Sequence, residues 1–159
     1  MDRKIVIIGY GNELRGDDGV GLLVLDELSQ AFSGRPDIHL IRRQQLDIAD
    51  TEEISECRAV IFVDAHVSEK REDVELSELD LVESAPFVVT HISLPEELMA
   101  ITKAVYDRTP PAFVCAVRGY DFSFGAPLTE AACALAEVAA GEIVQLVASL
   151  QEAACRVNI

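Results

Sequence analysis

Two adjacent carboxylates, Asp17 and Asp18, sit in the glycine-rich stretch GYGNELRGDDGVG, residues 9–21, directly after an apolar run. Asp64 closes a second apolar run, VIFVDAH, with His66 two residues on, and His91 lies near the end of a third candidate strand, FVVTHIS. Carboxylates and an imidazole, if brought together, form an oxygen and nitrogen donor set for a borderline divalent ion such as zinc, nickel or manganese. Positions would remain open for water or substrate. An aspartate ending an apolar strand also needs a cation, a hydrogen-bond network or solvent to offset several kcal/mol of desolvation.

Each of these residues has a local explanation as well. Asp17 and Asp18 are placed to cap a following helix, Asp17 the better of the two, and Asp64 to cap a turn. His91 fits a hydrogen-bonded histidine at a strand end. His39, inside the alternating run IHLIRRQ, and His66, beside a polar loop, are weaker candidates.

Phosphate chemistry does not fit the glycine-rich stretch. A dinucleotide fingerprint needs a third glycine where this chain has Leu14, and GDDGVG is not the Gly-Lys-Ser/Thr end of a phosphate loop. Two aspartates at a helix amino terminus also occupy the positive field a phosphate would use. The glycines at 9, 11, 16, 19 and 21 are expected to allow a tight turn through which something bulky reaches the strand ends.

The elements that must position these groups alternate. Apolar runs predict strands at 4–10, 38–44, 59–66, 87–93 and 113–120, with a short alternating edge strand at 74–79. Helices are expected from Asp18 to Phe32, with Val20, Leu23, Val24, Glu27 and Leu28 on one face, and from Ser93 to Asp107 with Pro95 in the first turn. A long final helix, Thr129 to Ala154, has Thr129 as cap, and residues 46–57 form a short helix or turn capped by Asp47 or Asp50. Strands separated by helices imply right-handed crossovers. The expected fold is an α/β three-layer α/β/α sandwich with a mainly parallel central sheet and one short antiparallel edge strand. Ligands of such sheets bind beyond the carboxyl ends of the strands, where the acidic groups would converge.

At 159 residues the chain fits one domain, residues 1–159. Its formal net charge of −15, with no basic stripe, argues against nucleic acid and anionic membranes as partners. The apolar runs are short of a ~20-residue span and the start lacks a signal peptide's features, so a cytoplasmic protein is expected. Cys57, Cys115, Cys133 and Cys155 form no C-x-x-C pair and read as reduced, mostly buried thiols. No G-x-S-x-G elbow occurs, and covalent catalysis has little support.

Taken in order, GYGNELRGDDGVG, VIFVDAH, THISLPEEL and GYDFSFGAPLT resemble the hydrogenase maturation endopeptidases over nearly the whole chain. The first motif and the Gln-Leu of RRQQLD look closest to the proteases serving bidirectional, NAD-linked nickel-iron hydrogenases; other branches carry a DGG loop there. The resemblance implies an α/β/α sandwich and one cut near the carboxyl terminus of the nickel-iron hydrogenase large-subunit precursor, made after nickel insertion. It assigns metal contact to Asp18, Asp64 and His91, with Asp18 and Asp64 as the catalytic carboxylates. Nickel would arrive with the substrate, held mainly by its cysteine thiolates, and other divalent ions would be able to substitute. An aspartate or a metal-bound water would serve as general base. A monomer is expected. The same three ligands would also suit a non-catalytic checkpoint or chaperone for the large subunit.

Overall fold

The computed structural model describes residues 3–81 and 92–157. Five strands, β1 (Ile5–Tyr10), β2 (Ile38–Arg43), β3 (Ala59–His66), β4 (Val74–Glu78) and β5 (Ala112–Arg118), form one sheet in the order β2-β1-β3-β5-β4. All pairings are parallel except that of β4 with β5. The helices are α1 (Val20–Ala31), α2 (Thr51–Glu56), α3 (Pro95–Tyr106) and α4 (Glu130–Val157).

Side chains alternate across the buried strands with period two, and this divides the core. Ile5, Ile7, Ile61, Val63, Cys115 and Val117 join α1 and α4 in one cluster. Val6, Ile8, Tyr10, Val60, Phe62 and Ala112 join residues of α2 and α3 in the other. Two helical layers therefore flank the sheet, as expected. The antiparallel edge strand is also where the sequence places it. The candidate strand 87–93 falls almost wholly outside the described residues, and His91 with it.

Two helix starts differ from expectation, and the start of α2 decides between its two candidate caps. Residues Glu13–Gly19 form a kinked 3-10 segment in which Gly16 has φ 54°, so α1 begins at Val20 rather than Asp18. Its buried face includes Leu22 and Leu25, while Leu23 and Glu27 are half-buried. Helix α3 begins at Pro95, and Ser93 does not cap it: the Glu97 carboxylate accepts the backbone N–H groups of Ser93 and Leu94 at 2.8 and 3.0 Å. Asp47 caps the turn before α2 by accepting from Ala49 N, whereas Asp50 pairs with Arg43 through two bonds of 2.9 and 2.6 Å.

Helix α4 is long and apolar enough, by length and composition, to cross a membrane. Here its Ala132, Ala136, Ala139, Ala140, Ile143 and Val147 are buried in the core cluster shared with α1 and the sheet. Small side chains let a helix approach its neighbours closely.

The four thiols are free; Cys57 and Cys115 are buried, Cys133 is half-buried and Cys155 is exposed. Burial pushes the Cys57 and Cys115 thiols up to about 12. A thiol reagent at neutral pH is therefore expected to modify Cys155 quickly and Cys133 more slowly. Cys57 and Cys115 should react only in denaturant, because thiolate is the reactive form. Mass spectrometry of the labelled peptides checks this, and rapid native labelling of Cys115 would contradict the packing described.

Candidate active site

Strand β1 leads through α1 to β2 on one side of it, and β2 leads through α2 to β3 on the other. The chain thus changes direction between β1 and β3, the position beyond whose strand ends sheets of this kind take their ligands. Tyr10 ends β1, Asp64 lies near the end of β3, and the 13–19 segment carrying Asp18 follows β1 directly.

The glycines hold that segment against the rest of the chain. A Cβ at Gly11, whose φ is 151°, would lie 1.9 Å from the Asp18 carbonyl oxygen; one at Gly16 would lie 2.3 Å from that of Asp121. The turn is tight as expected, but the space is filled by the protein's own backbone rather than left for a ligand. Arg42 on β2 secures the outside by donating to Asp26 at 2.6 Å and to Glu13 at 3.2 Å.

Asp17 and Asp18 have separate tasks. Asp17 is fully buried and does not cap α1. Its Oδ2 accepts from Tyr120 N at 2.8 Å, Asp121 N at 3.2 Å and Thr129 Oγ1 at 2.8 Å, and its Oδ1 from Thr129 N at 2.8 Å. Burial alone would raise this carboxyl's pKa, but the hydrogen bonds from Thr129, Tyr120 and Asp121 together outweigh it and lower the pKa. Asp17 therefore anchors the β5–α4 loop, and the Thr129 hydroxyl that donates to it also accepts from Ala132 N at 3.2 Å, at the start of α4. Asp18 is half-buried, with Oδ2 accepting from Asn12 N at 2.8 Å.

Asp64 is the more constrained carboxylate. Its Oδ2 accepts from the Tyr10 hydroxyl at 2.9 Å and its Oδ1 from Ala65 N at 2.8 Å. Burial raises its pKa above the usual carboxylate range, the bonds from Tyr10 and Ala65 partly offset this, and the charge of Asp18 raises it again. Burial, and then the Asp64 charge, also push the Tyr10 hydroxyl upward, so Tyr10 serves as a donor. Sequence reasoning missed Tyr10; the available signal was a phenol at the end of an otherwise aliphatic strand.

The other histidines are engaged elsewhere. His66 is buried, with Nε2 placed to donate to the Glu72 carbonyl at 2.9 Å and Nδ1 to accept from Ser68 N at 3.2 Å, which organises the loop before β4. His39 pairs with Glu53. The third expected metal contact, His91, lies outside the described residues. Among the described residues no group of three His, Cys, Asp or Glu side chains is arranged around one ion position. Among the described residues no cationic side chain is bonded to Asp18 or Asp64, whose hard oxygen donors suit an ion that arrives with other ligands attached.

A cavity of about 480 Å³ lies elsewhere, between residues 69–74 and α4. Its charged lining is of mixed sign, and it adjoins the loop between β3 and β4 rather than Asp18 and Asp64. Leu14, in the segment after β1, is 60% exposed and Phe124, in the β5–α4 loop, 81% exposed, and the two loops are joined by Gly125 N donating to the Leu14 carbonyl at 2.7 Å.

No family model matches the chain, and no curated protein sequence matches it. Solved structures do. The nickel-iron hydrogenase maturation protease HycI of Thermococcus kodakarensis is similar with 23% identity and a TM-score of 0.67, over 94% of this chain and 93% of that one. The hydrogenase maturating endopeptidase HybD of E. coli has 18% identity and a TM-score of 0.71 over the same shares of the two chains. HybD of Thermococcus kodakarensis has 16% identity and a TM-score of 0.65, over 90% of this chain and 98% of that one. The fold is that of the hydrogenase maturation proteases.

Proposed function

We propose that the protein is an endopeptidase that removes the carboxyl-terminal extension of the nickel-iron hydrogenase large-subunit precursor once nickel has been inserted. The observation that supports this reading is that Asp18, in the segment after β1, and Asp64, near the end of the neighbouring β3, lie near enough for the Asp18 charge to add to the rise in the Asp64 pKa. Such a pair attracts a cation. The shared fold and the exposed Leu14 and Phe124, on the loops that follow β1 and β5 and suited to a protein substrate rather than a small molecule, support it further.

In this reading nickel belongs to the substrate. Asp18, Asp64 and His91 meet it, so that recognition reports metal loading and places the scissile bond. Burial makes Asp64 a stronger base than an ordinary carboxylate, fit to take the proton of the attacking water.

The test is to mix the purified protein with precursor, with and without nickel, and weigh the products. Loss of a carboxyl-terminal peptide only from the nickel-loaded sample supports the proposal. Cleavage without nickel would remove the metal from recognition, and binding with no change of mass would mark a checkpoint rather than a protease.

A further inference from the structure

We propose that Tyr10 is a positioning residue that holds the Asp64 carboxylate in the orientation from which it meets the metal ion, an inference resting on the reading of the site given above. The pairing of β1 with β3 sets Gly9 opposite Val63, so the next cross-strand neighbours are Tyr10 and Asp64. Tyr10 is 7% exposed and shares a core cluster with Val6, Ile8, Ile41, Leu46 and Ile54. A phenylalanine would fill that space equally well. The hydroxyl's hydrogen bond is to Asp64 Oδ2, at 2.9 Å, while Ala65 N takes Oδ1 at 2.8 Å.

A carboxylate has about four lone-pair directions. With one on each oxygen occupied by a fixed donor, the plane of the group is set and one direction on each oxygen stays open. Loss of the hydroxyl frees the carboxylate to rotate about its own bond to Cβ, with Ala65 N as its remaining partner among the described residues. Removal of an outer hydrogen-bond partner of a metal-contacting group typically lowers affinity or activity by about 10–100-fold.

The variant is Tyr10→Phe in the full chain, read in two ways: calorimetric titration of metal-free protein with nickel(II) alone, and steady-state cleavage of the nickel-loaded precursor. The expected result is nickel affinity and kcat each lower by roughly 10–100-fold, with KM for the precursor within about twofold and a native circular dichroism spectrum. Unchanged nickel affinity with unchanged kcat overturns the proposal, as does a loss confined to KM or to thermal stability, which is what a packing role alone would give. If the wild type binds nickel but cuts nothing, the protease reading fails and the affinity comparison still decides the role of Tyr10. If it cuts without binding free nickel, the split between kcat and KM decides. A wild type that does neither overturns both.

Discussion

An Asp64→Asn protein is expected to cut the nickel-loaded precursor roughly 10²–10⁴-fold more slowly than the wild type, the range that a positioned acid or base contributes. Yet it should melt no lower. Asparagine has the same shape, its oxygen can keep the Ala65 N–H, and its amide can donate to the Tyr10 hydroxyl, which accepts as readily as it donates. The carboxylate, by contrast, is held above its ordinary range by burial and then by Asp18. A raised native pKa means that the native state takes up the proton before the unfolded chain does, so stability rises as pH falls through that native value. In metal-free protein near pH 8 the ionised group therefore weighs against the fold, and its removal should raise Tm. The gain should shrink on acidification and vanish below the unfolded aspartate pKa of about 3.9. Melting curves in chelator across this range, with the cleavage assay beside them, check both halves. Wild-type cleavage by the variant would remove Asp64 from the chemistry.

Asp17→Ala should be the most destabilising single change at the site, by about 3–5 kcal/mol, because it leaves four partly buried donors without their acceptor. For a chain of this size that is on the order of 10 °C in Tm. Asp17→Asn should fall between, since one amide keeps an acceptor for Tyr120, Asp121 and the Thr129 hydroxyl but turns an N–H toward Thr129 N. The pH dependence has the opposite sign to that of Asp64. Asp17's pKa is lowered in the native state, so its contribution is full above the unfolded value and is lost as pH falls through the native one. Denaturant melts of the two variants at neutral and acid pH check the order, and an Asp17→Ala protein as stable as the wild type would show the loop to be held by other contacts.

The sandwich was legible because its signals are local. Apolar runs such as those of β1 and β3, separated by short polar breaks, can only be buried between two helical layers, and Val74–Glu78 alternates as an edge strand does. Asp64 was legible for the same reason, as a charge at the end of a run with no polar companions. Asp17 was not. Its partners are more than a hundred residues away, so a reading of neighbours assigns it to the nearest helix start, and the kink at Gly16 that defeats this assignment depends on contact with Asp121. Ser93 shows a milder form of the problem: a serine two residues before Pro95 reads as a cap, but here Glu97, in the first turn of α3, accepts from the backbone N–H groups of Ser93 and Leu94. Tyr10 is an aromatic that satisfies the apolar pattern, which hides the role of its hydroxyl.

The bare side chains of Leu14 and Phe124 set a condition on how the protein can be kept in solution. Two large apolar tips on loops braced from below cannot fold away when no partner is present, and each is free to meet its counterpart on another molecule. The formal charge of −15 keeps such molecules apart at neutral pH. That repulsion disappears toward the isoelectric point near 4.4, where turbidity is expected before any loss of secondary structure.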